Sequence, residues 1–408
     1  VWYRRACSQD LLMRKILEEK NLTDKKILLR LDLNVPLISG KITDTTRIDK
    51  IIPTLNYLIK KKSKIIIISH VGRPKGKKVS DLSLKPICKN IESKIRQSVK
   101  LITKNIYKLN VQDLFSNSND KIVMLENIRF YSQEETNDYE FANYLSSLAD
   151  IYVNDAFSCS HRAHATIDKI TQFLPSYSGL QFDLEVDALK KITSKIKKPI
   201  ICIIGGSKIS TKINIIKNLI SKFDYIVIVG GMANNLLKYM GHNIGKSIYE
   251  ENSNSVINEI FILSKKENCK IYYPEDVVVS KDLYGVPESK EIDKILSDEM
   301  ILDIGEKTIK KIENLIDESK TVFWNGPAGY FENLDFANGS LRIAKKIVEN
   351  NNANTIYSVA GGGDTVSLLN KLNAVSTFNF VSTAGGAFLE YLEGKQLPGI
   401  TALKKLKK

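Results

Sequence analysis

Across 408 residues, no apolar run approaches the ~20 that a bilayer span requires, and the longest buried-looking runs, such as Ile65–Ile68, are strand-sized. The amino terminus, Val1-Trp2-Tyr3-Arg4-Arg5, carries charge but lacks the apolar core of a secretory signal. Residues 1–12 differ in character from the rest of the chain. Met13 opens a cleaner amphipathic stretch, so the native chain is expected to start there. The five cysteines (Cys7, Cys88, Cys159, Cys202 and Cys269) are scattered, with no metal-ligand or disulfide spacing. That suits a reducing compartment, and a cytoplasmic setting is expected. Cys159 sits among dense motifs but reads as a buried spectator thiol. There is no Gly/Ser linker, no low-complexity block and no repeat of 20–50 residues.

Arginine is scarce as well. Of 60 basic residues only 10 are arginine, against 50 lysines dispersed along the whole chain, and the net charge is +14. Such a balance suits nucleic acid, a membrane surface or an acidic small molecule. The lysines read as compositional bias. The arginines are placed: nine of the ten precede residue 163, and only Arg342 follows. A guanidinium offers a planar fork for carboxylate or phosphate that lysine cannot reproduce. Arg4, Arg5, Arg14, Arg96 and Arg342 read as ordinary surface charge, and the others require a reason.

The length corresponds to two or three domains at roughly 100–200 residues each, and 43% hydrophobic residues suffice for globular cores. Apolar, β-branched runs at Ile27–Leu33, Ile65–Ser69, Ile122–Leu125 and Ile151–Asn154 form one set of strands. Pro199–Ile204, Tyr225–Val229, Ile271–Tyr273, Thr321–Trp324, Thr355–Val359 and Phe378–Ser382 form a second. The runs lack polar alternation, as parallel strands covered on both faces do, and helical patterns separate most of them. The fold class is therefore α/β, with two Rossmann-like three-layer domains built on parallel sheets. A charged helical stretch from about Gln181 to Lys198 parts the two sets and is the expected hinge. It divides residues 1–182 from 183–389.

In open α/β sheets, ligands sit beyond the carboxyl ends of strands. In the first half those ends release Asp32 and Asn34, on one side of an extended segment, with Arg47 shortly after. The next ends release His70 and Arg73, then Arg129, then Arg162. One arginine after a strand is usually a salt-bridge partner. Four that converge on one rim, with Asp32 and Asn34 to accept from hydroxyls and His70 to donate, describe a pocket for a small, multiply negative, hydroxylated ligand. Arg30 reads as structural within the sheet, and His164 as a hydrogen-bonded packing residue.

In the second half the same ends carry glycine: Gly205-Gly206, Gly230-Gly231, Asn325-Gly326-Pro327, Gly361-Gly362-Gly363-Asp364-Thr365 and Gly385-Gly386. Glycine lets backbone N–H groups approach an anion, and a following helix N-terminus favours negative charge. Together the five turns describe a nucleotide lying along the rim. Asp364 is either a plain N-cap or a ligand of Mg²⁺, which typically binds one or two carboxylates plus substrate phosphates. Lys208 and Lys212, four apart, are expected on one helical face with an anion between them; in a chain this rich in lysine, coincidence is the alternative. Gly241–Ser247 imitates a Walker A loop but is one residue short and follows a helix, so it reads as a helix C-terminal turn.

Arg30–Pro36 (RLDLNVP), Ser69–Pro74 (SHVGRP), Glu126–Phe130 (ENIRF), Asn154–His164 (NDAFSCSHRAH), Gly205–Lys212 (GGSKISTK), Trp324–Glu332 (WNGPAGYFE), Gly361–Thr365 (GGGDT) and Leu392–Ile400 (LEGKQLPGI) stand in the order of one family. From about Lys25 to Leu403 the chain resembles phosphoglycerate kinase. The resemblance implies that Asp32, Asn34, Arg47, His70, Arg73, Arg129 and Arg162 bind 3-phosphoglycerate or 1,3-bisphosphoglycerate. It implies that Gly206, Lys208, Lys212, Gly230, Asn325, Pro327, Glu332, Gly362, Gly363, Asp364 and Thr365 serve ADP/ATP, with Glu332 near the ribose and Mg²⁺ at Asp364. Arg47, Lys212, Gly363 and Gly386 are the expected catalytic positions, residues 390–408 are expected to pack back on the first domain, and the enzyme is expected to act as a monomer. Thr211 departs from the aspartate that many relatives carry before the second lysine. Two other classes remain open on the residues alone. One is a different nucleotide-dependent kinase or acid ligase, which 3-phosphoglycerate turnover would separate. The other is a basic RNA-binding module, which would bind polynucleotide with steep salt dependence.

Overall fold

The computed structural model describes residues 13–117 and 120–404. The expected start at Met13 concerns residues 1–12, which lie outside the described residues, as do Cys7 and the last four residues of the segment expected to return. The described residues form two compact units, one up to residue 186 together with 396 onward, the other 187–395.

The first unit carries β1 (Lys26–Leu31), β2 (Leu37–Ile38), β3 (Lys41–Ile42), β4 (Lys64–Ile68), β5 (Lys100–Ile102), β6 (Ile122–Leu125), β7 (Ile151–Asp155) and β8 (Ser176–Ser178). Six of them form a sheet in the order β5-β6-β4-β1-β7-β8, every pair parallel. β2 and β3 make a separate two-residue hairpin. Ile65 to Ile68 of β4 are wholly buried, each side chain contributing roughly 1.5–3 kcal/mol relative to exposure. No polar residue interrupts that run because helices cover both faces. The chain order reverses beside β1, where Leu31 pairs with Asp155 of β7, leaving a crevice at the carboxyl ends. The helix Pro398–Lys404 belongs to this unit. Gly399 lies against Ser160, where an added Cβ would sit 2.5 Å from the hydroxyl, and its N–H donates to the Ser160 carbonyl at 2.9 Å.

The second unit carries β9 (Ile200–Gly205), β10 (Tyr225–Val229), β11 (Lys270–Tyr272), β12 (Asp276–Ser280), β13 (Glu288–Glu291), β14 (Met300–Ile304), β15 (Thr321–Asn325), β16 (Tyr357–Ala360) and β17 (Phe380–Val381). Its parallel sheet runs β11-β10-β9-β15-β16-β17, with the reversal between β9 and β15. β13-β12-β14 form a small antiparallel sheet that the sequence did not announce. β13 reads Glu-Ser-Lys-Glu with no apolar face, and β5 and β8 are three-residue edges; such segments are held by their neighbours and not by their own pattern.

The partition falls at 186/187 and 395/396, where the sequence reading placed it at 182/183 and 389/390. The helix Leu180–Thr193 straddles the first point. At the second, the helix Gly386–Leu392 stays with the second unit because Phe388 packs on Phe323, ring centroids 5.9 Å apart, and Asn218 donates to the Leu392 carbonyl at 2.6 Å. Gly241–Ser247 follows the helix Gly231–Tyr239 as a C-terminal turn, Gly241 having φ +92°.

The close approach of the chain at the carboxyl ends of the paired strands β9 and β15 depends on paired glycines. A Cβ on Gly205 would sit 2.3 Å from the Pro327 carbonyl oxygen, and one on Gly326, whose φ is +107°, 2.2 Å from that of Gly205. Both the space and the dihedral exclude a side chain at 326. Gly326→Ala is therefore expected to destabilise the second unit by roughly 2 kcal/mol or more. Denaturant unfolding checks this, and an unchanged midpoint would contradict the interlock.

Candidate active site

At the carboxyl rim of the first sheet, Asp32 leaves β1 and receives the Arg47 guanidinium, Nη1 lying 2.8 Å from Oδ1 and 3.0 Å from Oδ2. Arg47 stands in the first turn of the helix Thr46–Lys60, so one ion pair ties the strand end to the next helix. Asn34 accepts the Gly72 N–H at 2.9 Å, and Arg129 donates to the Gly72 carbonyl at 3.1 Å. The turn that carries Arg73 is thus held from two sides, while the Arg73 side chain itself is exposed. Arg129 also lies 3.6 Å from Glu135, and burial lowers its pKa.

His70 is 3% exposed, and its Nδ1 is 3.0 Å from Arg30 Nη2. A guanidinium only donates, so Nδ1 accepts and the imidazole is neutral, with its proton on Nε2. Burial, then the charges of Arg30 and Arg129, hold its pKa well below the usual value. Arg30 is fully buried, donating to Thr166 Oγ1 at 3.1 Å and to the Leu31 carbonyl at 3.0 Å. Glu134 in turn accepts from Thr166 Oγ1 at 2.6 Å. Arg30 is therefore structural, and it sets the His70 tautomer. Cys159 is buried, its Sγ 3.9 Å from Arg30.

Arg47 and Arg129 both lower the pKa of His70 by their charge, and Arg129 and Arg162 do so at His164, so these groups share one neighbourhood. Arg162 is exposed, with Nε 3.2 Å from His161. His164 corrects an expectation. It is buried, but its Nδ1 makes no hydrogen bond, and the nearest carboxylate oxygen, on Glu134, is 4.0 Å away. Burial pushes its pKa down to about 3.

The second unit gathers its glycine turns around the reversal of its sheet. Lys212 Nζ donates to the Gly205 carbonyl at 2.6 Å and to the Asn325 side-chain oxygen. Asn325 Nδ2 reaches the Gly361 carbonyl at 2.6 Å, and the Gly326 N–H donates to Thr365 Oγ1 at 2.7 Å. Three sequence-predicted segments are thus laced together. Burial lowers the Lys212 pKa to about 8, against the charge of Asp364, which leaves the ammonium mostly protonated at neutral pH. Gly362 has φ +97° and precedes the helix Gly363–Lys371, whose first turn holds an exposed Asp364 and a buried Thr365.

The expected shared helical face of Lys208 and Lys212 is not there. The helix begins at Ile213, and residues 208–212 form a turn in which Thr211 Oγ1 donates to the Lys208 carbonyl at 2.8 Å. The left-handed backbone at Gly206 (φ +151°) lets the chain leave β9 without entering a helix. Lys208 is exposed, and Thr211 makes a local turn contact. Gly386 opens its helix and is exposed.

Beside these turns lies a cavity of about 460 Å³, within the range of small-molecule sites. Gly206, Gly230, Pro327, Glu332 and Asp364 line it. So do Lys246, Ile248, Leu302, Asp303 and Tyr330, to which the sequence assigns no site role. Leu302 and Asp303 come from the unannounced antiparallel sheet. Lys246 comes from the segment set aside as a false phosphate loop, and only its lysine beside two glycines could have signalled it. No cluster of three or more acidic, histidine or cysteine side chains suited to a metal occurs among the described residues.

A model of the family "Phosphoglycerate kinase" matches residues 17–395. A phosphoglycerate kinase of Wolbachia sp. subsp. Drosophila simulans is 43% identical over 391 residues, covering 95% of this chain and 98% of that one. One of Dictyoglomus turgidum is 43% identical over 390 residues, again 95% and 98%. Among solved structures, the phosphoglycerate kinase of Coxiella burnetii superposes with a TM-score of 0.88 at 35% identity, covering 96% of this chain and 99% of that one. With a family model and close relatives spanning nearly its whole length, the chain belongs to the phosphoglycerate kinase family.

Proposed function

We propose how the residues of this phosphoglycerate kinase divide the work of reversible phosphoryl transfer between 1,3-bisphosphoglycerate and ADP. The acid substrate lies on the arginine rim. Asp32 and Asn34 accept from its hydroxyl, His70 donates through Nε2, and Arg47, Arg73, Arg129 and Arg162 hold its carboxylate and phosphate as charge-assisted bonds. The nucleotide lies on the glycine rim with its nucleoside in the cavity and Glu332 toward the ribose. Gly206, Gly362 and Gly363 present N–H groups to phosphates. Gly230, whose own N–H donates to the Ala328 carbonyl at 3.1 Å, lets the chain pass close beside them, with Asn325, Pro327, Thr365, Lys208 and Lys212 around.

The attacking carboxylate is already ionised and no covalent intermediate is required, so catalysis reduces to alignment and charge stabilisation. Arg47 and Lys212 neutralise the transferring group, and the amides at Gly363 and Gly386 complete the cradle. Asp364 suits Mg²⁺ because it is an exposed carboxylate on the cavity wall, and the nucleotide phosphates would supply the remaining ligands. The ion would add positive charge to the nucleotide phosphates. The two substrates must come into line with water excluded, so hinge bending at the helix Leu180–Thr193 is part of the proposal. The chain acts as a cytoplasmic monomer with no nucleic-acid or membrane partner. Among the described residues, no helix is long and apolar enough to cross a membrane.

The observation that carries the reading is the segregation of chemistry. The placed guanidinium groups stand at one parallel rim and the glycine turns at the other. Incubation with ATP, Mg²⁺ and 3-phosphoglycerate should yield ADP only when the acid is present. Turnover that ignores the acid would overturn the reading. Arg47→Ala should lower kcat by about a hundredfold or more while weakening 3-phosphoglycerate binding far less, since its charge counts most in the transition state. A variant with near-normal kcat would remove Arg47 from that role.

A further inference from the structure

One carboxylate on the wall of the second unit's cavity has no task in the phosphoryl transfer proposed for this chain. Asp303, on β14, is 1% exposed, and its two oxygens accept only main-chain N–H groups, Ile304 at 2.9 Å and Gly339 at 2.8 Å. Burial pushes its pKa up to about 7, so its charge is costly where it stands. An apolar side chain of similar size would be cheaper to bury, and this asks what the charge does.

The contacts answer. Gly339 is in the first turn of the helix Asn338–Asn352, whose N-terminus attracts negative charge. Ten residues earlier, Gly329 packs on the same carboxyl group. A Cβ on either glycine would lie 2.5 Å from Oδ1. The neighbouring Tyr330 N–H donates to the carbonyl of Leu302, the residue before Asp303, at 2.7 Å. Both ends of segment 329–339 are therefore fastened to residues 302–303. That segment contributes Tyr330, Phe331 and Glu332 to the cavity wall.

We propose that Asp303 is a positioning residue for the nucleotide, pinning both ends of segment 329–339 so that Tyr330, Phe331 and Glu332 stand preformed around the nucleoside. The proposal rests on the reading that this cavity takes the nucleotide. Asp303 acts through main-chain contacts and leaves the transferring group to other residues. Asparagine keeps the shape but has only one accepting oxygen, so one of the two N–H groups loses its partner.

The test is calorimetric titration of ADP and, separately, 3-phosphoglycerate into the unmodified chain and Asp303→Asn, with kcat at saturating substrates and the unfolding midpoint measured alongside. Expected is a rise in Kd and KM for ADP of about tenfold, with 3-phosphoglycerate binding and kcat within about twofold. Gly329→Ala, which forces a methyl toward Oδ1, should weaken ADP selectively too, and it decides the matter if Asp303→Asn does not fold. Unchanged ADP affinity in the folded variants would overturn the inference. So would equal losses for both substrates, since a merely structural role predicts no selectivity. Failure of the unmodified chain to bind ADP would overturn both this inference and the assignment of the cavity.

Discussion

Parallel strands end together, and the function proposed for this chain depends on what those ends carry. Parallel pairing brings the carboxyl termini of β1, β4, β6 and β7 to one edge, and those of β9, β10, β15 and β16 to another. The side chains just past those termini are neighbours although they are far apart in sequence. A reversal of strand order opens a crevice in each edge, beside β1 and between β9 and β15. The central strands that carry those ends, such as β6, β7, β9 and β15, are buried along their whole length and hold them in fixed register.

The two edges solve the anion problem by different means. At the first, charge is carried by side chains whose positions are fixed from below. Asp32 holds Arg47, Asn34 and Arg129 hold the Gly72 turn, and buried Arg30 sets the proton of His70. At the second, the proposed ligand would be met by backbone, so the requirement falls on glycine. Gly205 and Gly326 interlock without room for a Cβ, and Lys212 and Asn325 lace the surrounding turns. The first arrangement suits a compact ligand with fixed charges. The second suits an extended polyphosphate bound along its length.

What was legible in the chain obeys the same division. The central strands announced themselves because burial on both faces removes polar alternation, and Ile122–Leu125 and Tyr225–Val229 stand where their runs predict. The candidate site positions stood out because arginines such as Arg47, Arg73, Arg129 and Arg162 are rare in a lysine-rich chain and because Gly205-Gly206 and Gly361-Gly362-Gly363 stand at strand ends. The cavity proposed for the nucleoside was less legible. Its walls come partly from β14, whose sheet includes the wholly polar β13, and from Lys246, whose segment looked like a failed phosphate loop. The spacing of Lys208 and Lys212 suits a helix, but the helix begins only at Ile213, after a turn that follows Gly206. Tertiary packing and local turn contacts decided those points, and neither leaves a periodic trace.

The central claim is that each anion has its own rim. Backbone amide resonances, followed by NMR during separate titrations, test it most directly. 3-Phosphoglycerate alone should move the signals of Asp32, Asn34, His70, Gly72 and Arg129, and ADP alone those of Gly206, Gly230, Asn325, Glu332 and Gly363. A shared set of responding residues, or 3-phosphoglycerate acting first on the glycine turns, would contradict the account.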